Sequence, residues 1–427
     1  MALRKAGNNV KFYCDFHIHS KYSRATSENL DLDGIAEGAR NKGISIVGTG
    51  DFTHPLWFNE LKEKLKPAEE GLYVYRNMRF MLTVEVSTVF RRRDSIKKVH
   101  HVIHAPSLDV AEQIREVLSK YGDLSIDGRP TLNVEPAEMV ERLYSIDENI
   151  IVYPAHNWTP FYGCMGSQNG FNSLEECYGE EEKRIHALET GLSSDPKMNW
   201  RLSILDKYSL VSSSDAHSAQ NIGREMTVFE LDEPSYKAIK DAITRKESRA
   251  LSMTVEYYPE EGKYHYDGHR NCNVSLSPEE AIKLNNICPV CGKPLVIGVL
   301  HRVEELADRP DGYIPKDAPR YTYAVPLIEV ISYITGKGRG TQYVKGLYSK
   351  LLEKFGSEIQ VLLNEDLESI KEVDKELATA IENMRNSNVT LIPGYDGVFG
   401  IVDLLNKVKK PENAVWKQKR ISDFGKK

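Results

Sequence analysis

Up to about Glu230 the sequence alternates between short β-rich runs and stretches of helical periodicity, and this alternation restricts the fold more than any other feature. The β-rich runs cover residues 11–15, 44–48, 79–86, 99–103, 149–153 and 210–213. Between them lie amphipathic stretches with their own start and stop signals. Leu32, Ile35, Ala36 and Ala39 share one helical face, and Gly43 follows as a stop. Ser107 stands as an N-cap before the stripe Val110, Ile114, Val117 and Leu118, with Gly122 beyond it. Asp195 and Pro196 open a third helix that carries Met198, Leu202 and Leu205. Strands regularly separated by helices need crossover connections, so the expected class is α/β with a mostly parallel sheet. This many units favours barrel-like closure.

A chain of 427 residues, 41% hydrophobic and 28% charged, has enough apolar material for a large core and suggests two or three folded units. Three segments are expected: a catalytic α/β barrel over 1–250, a compact Tyr-, His- and Cys-rich module over 251–309, and a mainly helical region over 310–427. The prolines between Pro310 and Pro319 mark a linker. Beyond it, Val344, Leu347, Tyr348, Leu351, Leu352 and Phe355 form one stripe, and Leu367, Ile370, Leu377, Ile381 and Met384 a second. No run approaches the ~18 apolar residues of a membrane helix, so a cytoplasmic protein without membrane association is expected. The net charge of −6 means that any nucleic-acid partner must be held by local basic patches.

Nine of the twelve histidines precede Glu230, most of them at the ends of the expected strands. In His17-Ile18-His19 the two rings project to one face, because strand side chains alternate with a period of two. Asp51, Glu85, His101, His156, Asp215 and His217 end or follow the other strands. In parallel α/β folds the carboxyl ends of the strands meet at one mouth, and such a group of imidazoles and carboxylates needs divalent cations to be stable there. Two ions are expected, one held by His17, His19, Glu85 and Asp215, and one by Glu85, His101 and His156. Glu85 would bridge them roughly 3.5–4 Å apart. Asp51 and His217 either support a third ion or position water. His101 is preferred over His100 and His104, Asp51 over His54, and His186 is read as structural. Asp215, Glu85 and His217 are the expected catalytic groups, with zinc, manganese or magnesium as the metal.

Cys288-Pro289-Val290-Cys291 forms a knuckle, completed by Cys272 and by His269 three residues before it, with His265 as the other candidate for the fourth place. Three thiolates and an imidazole make a closed tetrahedral site, so one structural zinc is expected. Cys14, Cys164 and Cys177 lack such partners and read as buried thiols.

The ordered motifs His17-Ile18-His19-Ser20, Gly50-Asp51, Glu85, His101, Pro154-Ala155-His156 and Ser214-Asp215-Ala216-His217 resemble those of the polymerase and histidinol phosphatase (PHP) superfamily. The resemblance implies a distorted seven-stranded α/β barrel with two or three metals that hydrolyses phosphate esters. Many members carry a further His or Asp soon after the first pair, and Ser23 to Thr26 offer none. With the ribbon and Arg302-Val303-Glu304-Glu305-Leu306-Ala307-Asp308-Arg309 added, nearly the whole chain is similar to the endonuclease Q family. That similarity implies cleavage of DNA on the 5′ side of deaminated bases (uracil, hypoxanthine, xanthine) and abasic sites.

DNA contact needs positive charge near the site. Arg91, Arg92 and Arg93 are expected on a loop at the rim of the metal mouth, and Lys337 and Arg339 on a Gly-rich turn. The stretch from Ile401 onward carries eight Lys or Arg against three acids. A damaged base must leave the stack to be read, and Trp158, Phe161, Gln168 and Asn169 offer stacking surfaces and amide donors for a pocket. A small-molecule phosphoesterase on the same barrel and a non-catalytic DNA-binding protein are the competing readings.

Overall fold

The computed structural model describes residues 10–168, 170–244 and 249–408. The fold is mixed α/β, built on one large sheet in which β1 (Val10–Asp15) is central. It pairs in parallel with β2 (Ile46–Gly48), which pairs in parallel with the start of the long strand β3 (Met78–Arg92). From Leu82 onward β3 pairs antiparallel with β4 (Ser95–Ala105), and β4 pairs antiparallel with β5 (Ile151–Pro154). On the other flank β1 runs antiparallel to β8 (Met226–Leu231), the next strand outward, while β6 (Ala187–Glu189) and β7 (Ser209–Val211) form a separate parallel pair. The sheet is therefore mixed and does not close into the expected barrel of parallel strands. The departure comes from Arg93 and Asp94. A two-residue turn, with Arg93 at φ 55°, joins two runs that read as separate crossover strands into one hairpin.

Helix starts and stops follow the local chemistry. Asp31 accepts the backbone N–H of Gly34 ahead of Leu32–Lys42, and Gly43 ends that helix at φ 91°. Ser107 and Asp195 cap Leu108–Leu118 and Pro196–Trp200 in the same way. Helix Pro196–Trp200 is shorter than its apolar spacing suggested, because Leu205 sits on a separate 3-10 turn, Ser203–Leu205. Asp374 caps Lys375–Arg385, so the second C-terminal stripe is split between that helix and Leu367–Lys371. Cys14, Cys164 and Cys177 are buried, as expected.

The sheet does not stop at residue 250. β9 (Leu251–Glu256) pairs antiparallel with β8, and β10 (Arg320–Tyr323) adds in parallel at the outer edge. The segments before and after the cysteine-bearing stretch thus each lend a strand to the same sheet. The C-terminal helical region is also fixed to helix Leu32–Lys42 by a buried ion pair, Lys42 Nζ to Glu358 Oε1 at 2.8 Å. Glu358 accepts further hydrogen bonds from Leu327 N and Tyr348 Oη.

Glu225 and Glu256 are buried, and neither forms a close ion pair among the described residues. Glu256 Oε2 accepts hydrogen bonds from Thr190 and Ser212, while its Oε1 and Glu225 Oε2 have no hydrogen-bond partner. Burial pushes the Glu256 carboxyl up from 4.5 to about 8. The folded chain therefore holds this proton more tightly than the unfolded chain, and the stability it contributes is complete below pH 4.5 and lost as pH rises towards 8. Urea unfolding followed across that window should show a decline of up to about 1.4 kcal/mol per pH unit from this group. Glu256→Gln should flatten the decline and be the more stable form above pH 8; identical pH slopes in the two proteins would contradict the assignment.

Candidate metal centre

The segment that follows β1 brings His17 and His19 to one face, their ring centres 5.6 Å apart. Glu85 lies midway along β3 and is buried. Its two oxygens face different partners. Oε2 stands 3.4 Å from His17 Nε2 and 3.2 Å from His19 Nε2, and Asp215 Oδ1 completes this group 3.1 Å from His19 Nε2. Oε1 stands 2.7 Å from His100 Nδ1 and 3.0 Å from His156 Nε2. In each of the two groups, one donor atom from every residue lies within 4.8 Å of all the others.

The backs of these ligands are held by buried carboxylates. Asp51 Oδ1 faces His19 Nδ1 at 3.1 Å, while its Oδ2 accepts hydrogen bonds from Ser20 N, Ser20 Oγ and Ser23 Oγ. Glu189, at the end of β6, faces His17 Nδ1 at 2.9 Å and accepts the His156 backbone N–H at 2.8 Å. Occupied Nδ1 atoms fix the tautomers and leave both Nε2 atoms directed inward. Asp15 accepts the backbone N–H groups of Ser214 and Gly223, and Arg224 donates to the carbonyls of Ser214 and Asp215. This clamps the turn that presents the Asp215 side chain. Asp51, His156 and Asp215 all lie in the left-handed region, at φ 51°, 30° and 47°. Non-glycine residues are rare there, and three at one mouth mark a backbone bent to aim side chains.

Electrostatics point to cations. Burial alone would raise the Glu85 carboxyl, yet the facing imidazoles of His100 and His17 hold it well below its usual range. Asp215 is likewise held down, by His19 and His17, against its own burial. His17 Nε2 is buried with no hydrogen-bond partner. An orphaned imidazole nitrogen aimed at ionised carboxylates is the arrangement a divalent ion completes, and the mixed N and O donors suit zinc or manganese.

Several sequence expectations are revised. His101 is not in the cluster; it lies between Thr88 Oγ1 and Tyr178 Oη, and burial pushes its imidazole down to about 3. Its place belongs to His100. Val86 pairs with His101 and Ser87 with His100, so the pleat puts His100 on the face of Glu85 and turns His101 away. Asp51 stands behind His19 and belongs to neither donor group. His217 lies against His19 with the rings tilted and their centres 4.5 Å apart, and its Nδ1 is on the Asp215 carbonyl, at the edge of the cluster. His54 bonds to the Ser125 carbonyl and stacks on Tyr22. The sequence reading missed Glu189 and Arg129, whose Nη1 lies 3.1 Å from Glu85 Oε2. Glu189 carried the same signal as the other ligands, a carboxylate ending a short apolar strand.

Arg91, Arg92 and Arg93 are not on a rim loop. They sit at the hairpin tip, six residues beyond Glu85 or more, about 20 Å along an extended strand. Arg92 is tied to Glu135 and packs over Phe171, whereas Arg91 and Arg93 are exposed. Arg339 pairs with Glu329 at 2.5 Å, and Lys337 lies over the Tyr343 ring. Trp158 is fully buried, its indole N–H donating to Asn199, so it belongs to the core and cannot stack on a base. Phe161 and Gln168 are exposed on the same loop, and Tyr162 covers His100 with ring centres 4.3 Å apart. Arg302, on the helix Val299–Leu306 that follows the knuckle cysteines, ties this loop down through Met165 O, Phe171 O and Asn172 Oδ1. Asn169 and residues 409–427 of the basic stretch lie outside the described residues.

Away from this centre, His269, Cys272, Cys288 and Cys291 converge within 4.8 Å, with Cys291 Sγ 3.3 Å from His269 Nδ1. His265 is not among them. Against the cost of burial, the backbone N–H groups of Cys291 and Val290 pull the Cys288 thiol down to about 6, towards the thiolate a metal requires.

Metal analysis of purified variants separates the two imidazole assignments. His100→Ala should lose one ion per chain and His101→Ala none, while Glu85→Gln should deplete both ions of the centre. Loss of an ion from His101→Ala with full content in His100→Ala would reverse the assignment.

Residues 326–388 match a family model described as the MJ0043 C-terminal domain, and residues 206–248 one described as PHP-associated. The chain is 32% identical over 272 residues to protein MJ0043 of Methanocaldococcus jannaschii. That alignment covers 62% of this chain and 32% of the relative, so the chain spans about a third of that protein's length. Two solved structures follow it nearly end to end. The lesion-specific endonuclease PfuEndoQ from Pyrococcus furiosus gives a TM-score of 0.84 at 34% identity, covering 94% of this chain and 98% of that one. An endonuclease Q in complex with a 27-mer duplex substrate bearing an abasic lesion at its active site gives 0.81 at 33% identity, covering 97% and 100%. With identity above 30% along almost the full length of both solved chains, the protein belongs to the endonuclease Q family.

Proposed function

We propose that this protein is a metal-dependent DNA repair endonuclease that cuts the phosphodiester on the 5′ side of deaminated bases and abasic sites. The observation that carries the reading is the shared carboxylate. Glu85 offers one oxygen to each of two donor groups, in a fold that follows an endonuclease Q bound to abasic-site duplex. Divalent ions held by His17, His19, Glu85 and Asp215, and by Glu85, His100 and His156, would activate water and neutralise charge on the phosphate.

The chain's own groups do the rest. Glu189 and Asp51 orient the two imidazoles, and Tyr162 screens His100 from water. His217, with Nδ1 on the Asp215 carbonyl, presents Nε2 at the rim; burial lowers its pKa, so the neutral ring accepts a proton there. Phe161 and Gln168, exposed on the loop that carries Tyr162, are the candidates to meet an extruded base. Deamination replaces an amine donor by a carbonyl acceptor, which the Gln168 amide can address with a donor of its own. Arg91, Arg93 and Lys337 are the candidate phosphate contacts of the outer duplex.

In this reading 1–250 is the catalytic unit, an open and distorted form of the PHP barrel. His269, Cys272, Cys288 and Cys291 in 251–309 hold a closed structural zinc, and 310–427 is a DNA-binding helical region in a cytoplasmic protein.

A duplex with one labelled strand carrying a single uracil or abasic site tests the proposal. Mg²⁺, Mn²⁺ or Zn²⁺ should support one nick 5′ to the lesion, and a chelator should stop it. Asp215→Asn should slow cleavage by at least about a hundredfold, since even outer-shell partners of a metal site cost 10–100-fold. Turnover of a phosphomonoester with indifference to lesion DNA would overturn the assignment.

A further inference from the structure

We propose that Arg129 grips the scissile phosphate, its guanidinium donating to the anionic non-bridging oxygens of the substrate. The inference rests on the reading that this centre hydrolyses a phosphodiester, and it adds a substrate-binding group that the metal-ligand motifs do not contain.

Arg129 is built into the site. Its Nη1 lies 3.1 Å from Glu85 Oε2, the oxygen that also faces His17 and His19, while 26% of the side chain stays exposed on the open side. The backbone that delivers it is pressed onto the floor of the cluster. A Cβ at Gly128 would lie 2.3 Å from Asp51 Oδ2 and 2.5 Å from Ser23 Oγ, so only glycine lets the chain pass this close. Gly128 N donates to Tyr22 O, and Asp127 Oδ1 accepts the Arg129 backbone N–H. A solvated surface arginine needs none of these restraints.

Glu85 alone does not account for it. Two divalent ions would be matched in charge by the four carboxylates Glu85, Asp215, Asp51 and Glu189 around them, and a guanidinium beside them adds a further positive centre. An anion between the three removes the repulsion. The planar fork matches two phosphate oxygens, and arginine keeps its charge at any working pH. Arg129 makes and breaks no covalent bond; it binds the phosphate and stabilises the charge that grows on its oxygens during attack.

Inorganic phosphate titrated calorimetrically into the metal-loaded protein gives a readout independent of turnover. Arg129→Ala should weaken phosphate binding roughly ten- to a hundredfold, and Arg129→Lys should fall between, keeping the charge but not the fork. Metal content should be unchanged in both. In cleavage assays the penalty of Arg129→Ala should be large on the normal phosphodiester and shrink when a neutral methylphosphonate replaces the scissile linkage. Unchanged phosphate affinity in Arg129→Ala, or loss of metal in both variants, would overturn the proposal and leave Arg129 as a counter-charge to Glu85. Failure of the parent protein to cut lesion DNA, with phosphate binding still dependent on Arg129, would refute the proposed endonuclease while supporting this phosphate site.

Discussion

Glu85 is a carboxylate kept ionised where water cannot reach it, and the rest of the site is arranged around that demand. A buried charge is costly unless its oxygens are satisfied, and here each oxygen has its own set of partners. Imidazoles alone cannot do this, because rings protonated to meet the carboxylate would repel one another across 5 to 6 Å. Divalent ions meet both groups at once. The surrounding carboxylates, Asp51 and Glu189, hold the far side of the rings, so that each ring keeps a proton on Nδ1 and turns Nε2 inward to where an ion would bind.

The sheet explains how such a centre is assembled from residues up to two hundred positions apart. Each of these groups sits on or just beyond a strand, and three of the turns that carry them run through left-handed backbone at Asp51, His156 and Asp215. Such conformations cost energy and persist only where the neighbourhood fixes them. Gly191 shows the same crowding: a Cβ there would lie 2.5 Å from that of His156. Rigidity at the strand ends is thus coupled to rigidity of the residues in the two donor groups, with the C-terminal helical region braced against helix Leu32–Lys42 through Lys42 and Glu358.

Much of this is legible in the amino-acid sequence. His17 and His19 share a face because strand periodicity is local, and Glu85, His156 and Asp215 end segments whose apolar runs mark them as strands. The knuckle cysteines are readable from spacing alone. What escapes the sequence is non-local. Choosing between His100 and His101 depends on the register of a hairpin, and that register depends on recognising Arg93-Asp94 as its turn, although Arg93 is not a usual turn former and no glycine follows Asp94. The same unrecognised turn puts Arg91 to Arg93 at a distant hairpin tip instead of at the metal mouth. Trp158 misleads because an aromatic residue on a loop gives no sign of whether it points to solvent or core. Arg129 sits in a loop with no motif, and only the packing of Gly128 against Asp51 reveals why it reaches the site.

The central claim is that one buried carboxylate joins two metal ions. Anomalous diffraction from crystals of the metal-loaded protein, collected at the absorption edge of the bound metal, tests it most directly. Two peaks should flank Glu85, one among His17, His19 and Asp215 and the other beside His100 and His156. A single peak at the cysteine cluster, or an ion ligated by His101, would contradict the account.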